Sequence, residues 1–451
     1  VATVSGLVIS YSGVRGVVGR DLDGSVARSF GAAFRRMVTD LHSARPITLV
    51  VGRDTRASGP ELQGALVQGL SDQHVRIIDL GVAPTPTIQF ALGALAAQGA
   101  VAVTASHNPA QWNGFKFFLA PDNTVLDGAQ TERLIQARAA AAADAPSATG
   151  MENRQEWAVA SHVARVLEQV DAERIRRRRF RVALDAARGA GERPAARLLD
   201  ALGCTITRVD AERESEPLPE NLAALGDAVV QNACALGFAQ DLDADRLALT
   251  TESGTAPGED YTLVFVVDHL LRRHHSSTPV VVKNVSTTRA LDDVVARAAA
   301  ELVETRVGEV HLSRALKQRI DQGRVAFGGE GNGGVILPAV HLGRDSLTGM
   351  ALVLEALAQR EEPLSARLRE LPRYHSAKLK LALSREPALM AALERVFPDA
   401  VVDRVDGLRL RFADGAWLGL RRSNTEPIVR LVVESRDPRW VSHVVSTLQK
   451  V

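Results

Sequence analysis

Through the first 350 residues, short β-branched apolar runs alternate with longer segments whose apolar residues recur at helical spacing. The runs at 47–51, 75–78, 101–104, 182–184, 205–209, 247–250, 280–282 and 325–327 predict strands. Segments such as 59–73, 191–202 and 288–300 predict the helices between them. This is the βαβ alternation of sheets covered on both faces. Further along, 408–412 and 417–420 alternate apolar with polar residues, the pattern of antiparallel strands. Breaks at 144–147, 252–258 and 361–363 divide the chain into 1–146, 147–252, 253–365 and 366–451. The expectation is an α/β protein: three similar α/β domains with mixed sheets, compatible with a divergent repeat, then a smaller α+β domain.

Composition narrows the field. A chain of 451 residues exceeds one ordinary core and fits several domains. Hydrophobic residues make up 46% and charged residues 24%, a globular balance. The net charge of +1 carries no basic excess of the kind that nucleic-acid binding requires. One basic run, 174–181, reads as a solvated helix end before a strand at 180–184. Cys204 and Cys234 each lie in an apolar stretch and read as small buried hydrophobes, giving no disulfide scaffold or zinc site. No leader-like or membrane-length apolar run appears, so the expected location is cytoplasmic.

Four polar segments carry the chemistry. At 101–109 (VAVTASHNP), a strand breaks into a turn that presents Ser106, with His107 beside it and Pro109 locking the bend. At 241–246 (DLDADR), Asp241, Asp243 and Asp245 at every second position of an extended segment face one side, and all-carboxylate ligation suits Mg²⁺. An EF-hand is excluded because Arg246 stands where its sharp turn needs glycine. At 328–334 (GGEGNGG), five glycines bare the backbone for a ligand and leave Glu330 and Asn332 to hydrogen-bond sugar hydroxyls. The run lacks the G-x-G-x-x-G spacing of a dinucleotide site. At 421–427 (RRSNTEP), with Arg430 beyond, arginine forks and hydroxyls form a phosphate cradle. Together these describe phosphoryl transfer on a phosphorylated sugar.

The whole chain then resembles the α-D-phosphohexomutase family, the phosphoglucomutase, phosphomannomutase and phosphoglucosamine mutase group. Residues 12–16 (SGVRG), 51–56 (VGRDTR), 104–109 (TASHNP) continuing through 113–116 (NGFK), 241–246 and 421–427 match the family's motifs in order. The resemblance implies four domains around a central cleft, each giving one loop, and small-molecule sugar phosphates as partners of a monomer or homodimer. It implies that Ser106 carries the phosphoryl group and that Asp241, Asp243 and Asp245 hold Mg²⁺ with it. Arg15, His107, Lys116 and Arg246 would line the reacting centre, with Lys116 as general acid/base. Glu330 and Asn332 would read the sugar. Arg421, Ser423, Asn424, Thr425 and Arg430 would grip the phosphate that is not reacting.

The implied reaction interconverts hexose 1-phosphate and hexose 6-phosphate through a phosphoserine enzyme and a bisphosphate, with hexose 1,6-bisphosphate as activator. Phosphomannomutase/phosphoglucomutase activity is the first expectation and phosphoglucosamine mutase the alternative. Two departures bear on the sugar. Members commonly carry E-x-S-G-H where this chain has Glu330-Gly331-Asn332-Gly333-Gly334, and T-G-H where it has Val307-Gly308-Glu309. Both variants resemble archaeal-type members. A serine-dependent sugar phosphatase and a non-catalytic sugar-phosphate binding protein are the competing readings; the first needs His107 as base to Ser106, and neighbours in an extended segment point apart.

Overall fold

The computed structural model describes residues 2–4, 6–43, 46–140, 150–274, 278–423 and 428–449. Four sheets follow one another along the chain. In the first, Ile47–Arg53 lies between Val75–Val82 and Gly99–Val103 in parallel, and Trp112–Leu119 adds antiparallel to Gly99–Val103. The second repeats this order: Arg181–Asp185 between Thr205–Arg208 and Leu236–Gln240, with Leu247–Thr251 antiparallel at the end. The third repeats it again: Val280–Asn284 between Glu301–Thr305 and Ala326–Glu330, with Gly334–Ile336 antiparallel. Numbered by sequence, each unit reads 2-1-3-4, so a threefold topological repeat underlies sequences that share no obvious period.

The first sheet is larger because Gly13–Val17, Leu7–Ser10 and Ala2–Val4 extend it beyond Trp112–Leu119, and Met151–Asn153 pairs with Val75–Val82 at the other edge. The break expected at 144–147 lies outside the described residues. The fourth sheet is wholly antiparallel, His375–Ala382, Ile428–Ser435, Trp417–Arg422, Leu408–Arg411 and Val401–Asp403 in spatial order.

The second and third sheets share a core. Leu184 and Leu236 pack in one cluster with Val281 and Phe327 through the buried helices Asp260–Arg273 and Ser346–Ala358. The first and fourth sheets have separate cores, around Phe30, Phe34 and Leu49, and around Leu408, Leu418 and Leu431. Both cysteines are buried and unpaired. The basic run ends the helix Ala172–Arg178 ahead of Arg181–Asp185 and exposes its arginines except half-buried Arg178, which donates to the Arg360 carbonyl.

A buried trio ties the units together. His162 Nε2 lies 3.1 Å from Asp345 Oδ2, its Nδ1 lies 3.0 Å from the Thr87 hydroxyl, and His341 Nε2 lies 3.7 Å from the same Asp345 oxygen. The Gly343 N–H donates to His341 Nδ1 at 3.0 Å, so the neutral ring carries its proton on Nε2, toward the carboxylate. A metal at that nitrogen would need the opposite tautomer; His162, through Thr87 and Asp345, hydrogen-bonds three units together, while His341 Nε2 has no hydrogen-bond partner among the described residues.

Candidate active site

Each repeated unit sends its third strand into a turn that returns as the fourth, and three of the four chemical segments sit in those turns. Ser106 follows Gly99–Val103, the aspartates follow Leu236–Gln240, and Glu330 ends Ala326–Glu330. The carboxyl ends of sheet strands are where ligand crevices form in α/β folds. Of the fourth segment, Arg421 and Arg422 end the strand Trp417–Arg422 and Ser423 follows it, and residues from all four units border one cleft. Arg15, Ser106, His107, Lys116, Arg246, Glu330, Asn332, Arg421, Ser423 and Arg430 line it. Of the residues expected there, Asn424 and Thr425 lie outside the described residues.

Ser106 is 2% exposed and has φ +52°, the left-handed region that an L-residue adopts only when its surroundings enforce it. The enforcement is visible. The Ser106 N–H donates to Thr104 Oγ1 at 2.8 Å, while its carbonyl accepts from Arg56 Nη2 at 2.7 Å. Arg56 also donates to the carbonyls of Asn108, Pro109 and Trp112 at 2.6, 2.8 and 2.9 Å, and pairs with buried Asp54 at 3.2 Å. One guanidinium thus pins the whole serine turn. The turn then directs Ser106 Oγ to Asp241 Oδ2, 3.2 Å away across the unit boundary.

The aspartates converge by a turn and not, as the alternation predicts, by an extended segment. Ala244 takes φ +57° and its N–H bonds the Asp241 carbonyl at 3.1 Å, folding Asp241, Asp243 and Asp245 so that carboxylate oxygens lie within 4.8 Å of one another. Thr85, opening the helix Thr85–Ala94 of the first unit, holds this turn by its N–H to the Asp243 carbonyl (3.0 Å) and its hydroxyl to Asp243 Oδ2 (2.7 Å). Lys116 Nζ donates to Asp243 Oδ2 at 2.6 Å and Asp245 Oδ2 at 2.9 Å.

Burial, then the charges of Asp245 and Asp243, raise the Asp241 pKa well above the carboxylate range. Burial opposes ionisation of Asp243 too, but Lys116 and the Thr85 hydroxyl hold it low. Burial would lower Lys116, yet Asp243 and Asp245 keep it above the ordinary lysine value. Asp243 Oδ1 and Asp245 Oδ1 are buried with no hydrogen-bond partner among the described residues. Buried carboxylate oxygens without donors, in an all-oxygen set, fit a hard divalent cation.

Cations surround this pair of turns. Arg15 donates to Asn108 Oδ1, and burial brings its guanidinium down to about 10. Arg246 donates to Glu216 Oε1 at 2.7 Å and to His107 Nδ1 at 2.9 Å. Burial first, then Arg246 and Arg15, push the His107 pKa well below the usual value, so the ring is neutral. Its Nε2 has no hydrogen-bond partner among the described residues, and Ser106 Oγ is directed to Asp241 instead.

The glycine-rich segment departs from expectation. Gly328, Gly329 and Glu330 belong to the strand Ala326–Glu330, not to a loop after it. A Cβ at Gly328 would stand 1.9 Å from the Val282 carbonyl, and one at Gly329 2.0 Å from that of Gly334. These glycines let strands approach each other rather than a ligand approach them. Glu330 Oε1 accepts from Asn284 at 3.0 Å and from the Gly308 N–H at 3.3 Å, and Asn332 donates to Glu330 Oε2 at 3.2 Å. In the fourth unit Arg430 Nε reaches Ser423 Oγ at 3.4 Å, and burial lowers the Arg421 pKa.

Sequence reasoning assigned no role to Arg56, Thr85, Glu216 or Arg344, the last of which also lines the cleft. Arg56 sits in a quoted motif, whereas Arg344 is a lone arginine with no local signal.

Four α/β and α+β units, each lending one turn to a shared cationic cleft around a serine and three aspartates, define the phosphohexomutase architecture. A solved phosphoglucomutase/phosphomannomutase family protein from Burkholderia thailandensis has the same fold, with TM-score 0.83 and 28% identity, covering 100% of this chain and 97% of that one. Sequence models for phosphoglucomutase/phosphomannomutase match along the chain: alpha/beta/alpha domain I at 8–144, domain II at 160–254, domain III at 258–374 and the C-terminal domain at 378–450. The chain belongs to the phosphoglucomutase/phosphomannomutase family. It is 34% identical over 444 residues to a phosphoglucomutase/phosphomannomutase of Thermococcus kodakarensis, covering 96% of this chain and 95% of that protein. A probable phosphoglucosamine mutase of Methanopyrus kandleri is 32% identical, covering 95% and 94%. Among the described residues no helix is long and apolar enough to cross a membrane.

Proposed function

We propose that this protein interconverts hexose 1-phosphates and hexose 6-phosphates, with mannose and glucose phosphates as substrates, and that Ser106 carries the phosphoryl group. The observation that carries the reading is the 3.2 Å approach of Ser106 Oγ to Asp241 across two units, inside a cleft lined by Arg15, Lys116, Arg246, Arg421 and Arg430. In its working form Ser106 bears a phosphate. The free hydroxyl of the bound hexose phosphate attacks that phosphorus, the Oγ–P bond breaks, and a hexose 1,6-bisphosphate forms. The sugar then presents its other phosphate, Ser106 Oγ takes that phosphoryl group, and the isomeric monophosphate leaves. Hexose 1,6-bisphosphate from outside primes an unphosphorylated enzyme by the second half of the same cycle.

Asp241, Asp243 and Asp245 would hold Mg²⁺ together with the serine phosphate, and a cation there supplies neutralisation of charge on the moving phosphoryl group. Lys116, protonated in its present pairing, is fit to give a proton; to take one it must first part from Asp243 and Asp245. Arg15 and Arg246 add fixed positive charge, and neutral His107 positions Arg246. Arg421, Ser423, Asn424, Thr425 and Arg430 would grip the distal phosphate. Glu330 and Asn332 would bind the sugar hydroxyls, and enclosure of the centre excludes water as a competing acceptor.

A phosphoglucosamine mutase activity is the second reading, favoured by the relative from Methanopyrus kandleri that bears this name. The test is one incubation series with Mg²⁺, a trace of glucose 1,6-bisphosphate and, separately, glucose, mannose and glucosamine 1-phosphate. Conversion to a 6-phosphate is expected, fastest with one of the first two. No 6-phosphate from any of them, or release of inorganic phosphate outpacing isomerisation, overturns the reading.

A further inference from the structure

Arg344 stands two residues before the helix Ser346–Ala358, and its guanidinium is almost wholly buried against the cleft. All three of its nitrogens are engaged, each by a carboxylate from a different segment. Nη2 meets Asp245 Oδ2 at 2.7 Å, Nε meets Glu309 Oε2 at 2.9 Å and Nη1 meets Glu330 Oε2 at 3.0 Å. The fork is rigid and planar, so these three distances are not independent.

The backbone around Arg344 is built to hold it there. Asp345 caps the following helix through the Leu347 N–H at 3.0 Å, its own N–H bonds the Val335 carbonyl at 2.8 Å, and His162 of the second unit fixes its side chain. On the opposite side, a Cβ at Gly334 would lie 2.3 Å from Arg344 Cδ. The last glycine of the 328–334 run is therefore the space through which the arginine stem passes.

We propose that Arg344 is a positioning residue that links divalent-cation binding at the aspartate turn to the sugar-reading carboxylate Glu330. This rests on the phosphohexomutase reading for what occupies the two sites, but the linkage itself is a property of the side chains. Asp245 Oδ2 is satisfied by Arg344 and Lys116, which leaves Oδ1 as the oxygen open to a cation. Glu330 shares the same guanidinium. When a ligand's hydroxyls draw charge from Glu330, Arg344 is held less firmly there and is drawn more strongly to Asp245. The aspartate then offers less negative charge to a cation. In this low-dielectric setting the redistribution is transmitted through one shared positive group.

The experiment is a double-mutant cycle on Mn²⁺ binding, read by electron paramagnetic resonance on full-length protein with Ser106 shown by mass spectrometry to be unphosphorylated. Glu330→Gln should weaken Mn²⁺ binding by about fivefold or more in the wild-type background, the lower end of ordinary coupling between sites. In an Arg344→Met background the same change should matter by less than about twofold. Equal factors in the two backgrounds would mean that Glu330 acts only through space, and would overturn the linkage. Arg344→Met leaves three carboxylates without their partner; should it not fold, Arg344→Lys serves in its place, because one ammonium cannot span all three. Loss of coupling with lysine supports the proposal, and full coupling with lysine refutes it. No turnover is measured, so a protein that lacks mutase activity yet shows the coupling would sink only the function reading.

Discussion

Arg56 offers the sharpest test of how the serine turn is held. Its guanidinium spends every bond on the turn or its brace: four backbone carbonyls at 2.6–2.9 Å and the buried carboxylate of Asp54. Arg56→Met keeps much of the stem but strands Asp54 and four carbonyls. Breaking a buried ion pair from one side costs about 3–5 kcal/mol, and the carbonyls add to this only where water cannot reach them. A displacement of Ser106 by an ångström costs about 100-fold in turnover.

The stability loss should also depend on pH. Burial already raises the Asp54 pKa against the pull of Arg56, and removing Arg56 raises it further. A carboxyl whose folded pKa exceeds its unfolded value binds more protons when folded, so stability falls as pH rises through that window. The deficit of Arg56→Met should therefore be smaller at pH 5 than at pH 8. The assay is urea unfolding of a variant that keeps Trp112 as its only tryptophan, since Arg56 bonds that residue's carbonyl. Arg56→Lys, with three donors in place of five, should fall between the two. An Arg56→Met protein within about 1 kcal/mol of the parent, with turnover within a factor of about three, would refute the reasoning.

Ser106→Ala should abolish turnover while calorimetric affinity for a sugar phosphate stays within a few-fold; an unchanged rate would remove the serine as carrier. Lys116→Met removes the ammonium that competes for Asp243 and Asp245, so Mn²⁺ should bind more tightly even as turnover collapses, and weaker Mn²⁺ binding would contradict the geometry. His107, desolvated and flanked by Arg246 and Arg15, should show the nitrogen resonances of a neutral ring at the pH where a free imidazole is half protonated, a half-protonated ring there being the contrary result. Gly334→Ala should force the Arg344 stem aside and raise KM for the sugar phosphate more than it lowers kcat; the opposite split would detach Arg344 from sugar binding.

What the sequence made legible was local. The strands at 47–51 and 247–250, the helix begun at Gly59 and the turn at Ser106 all follow from periodicity and from proline or glycine at fixed offsets. The strand Leu236–Gln240 escaped notice because Gly237 and a terminal glutamine mask a fully buried run. The glycines at 328 and 329 misled for a related reason: the same residue serves close strand packing and ligand approach, and only the neighbouring carbonyls distinguish the two. Ser106 and the aspartates could be found because each lies in a compact motif. Arg344 and Thr85 could not, since their partners lie 99 and 158 residues away in another unit, and a side chain that works across units leaves no spacing to read; Glu216 meets Arg246 within its own unit but 30 residues off, beyond any compact motif.

The threefold 2-1-3-4 order has a consequence for how such a protein can change. In every unit the chemistry hangs from the connection between the third and fourth strands, while the hydrophobic faces that hold the unit together lie elsewhere. One connection carries the serine, one the acidic cluster, and one Asn332 just past Glu330. A substitution in any of these connections leaves the hydrophobic cores of its siblings undisturbed. Duplication of a single small sheet would account for three such connections on one scaffold, each free to take different residues while side chains such as Arg344 join them. On the proposed reading, sugar preference would be tuned at the end of Ala326–Glu330 and in the short turn leading to Gly334–Ile336.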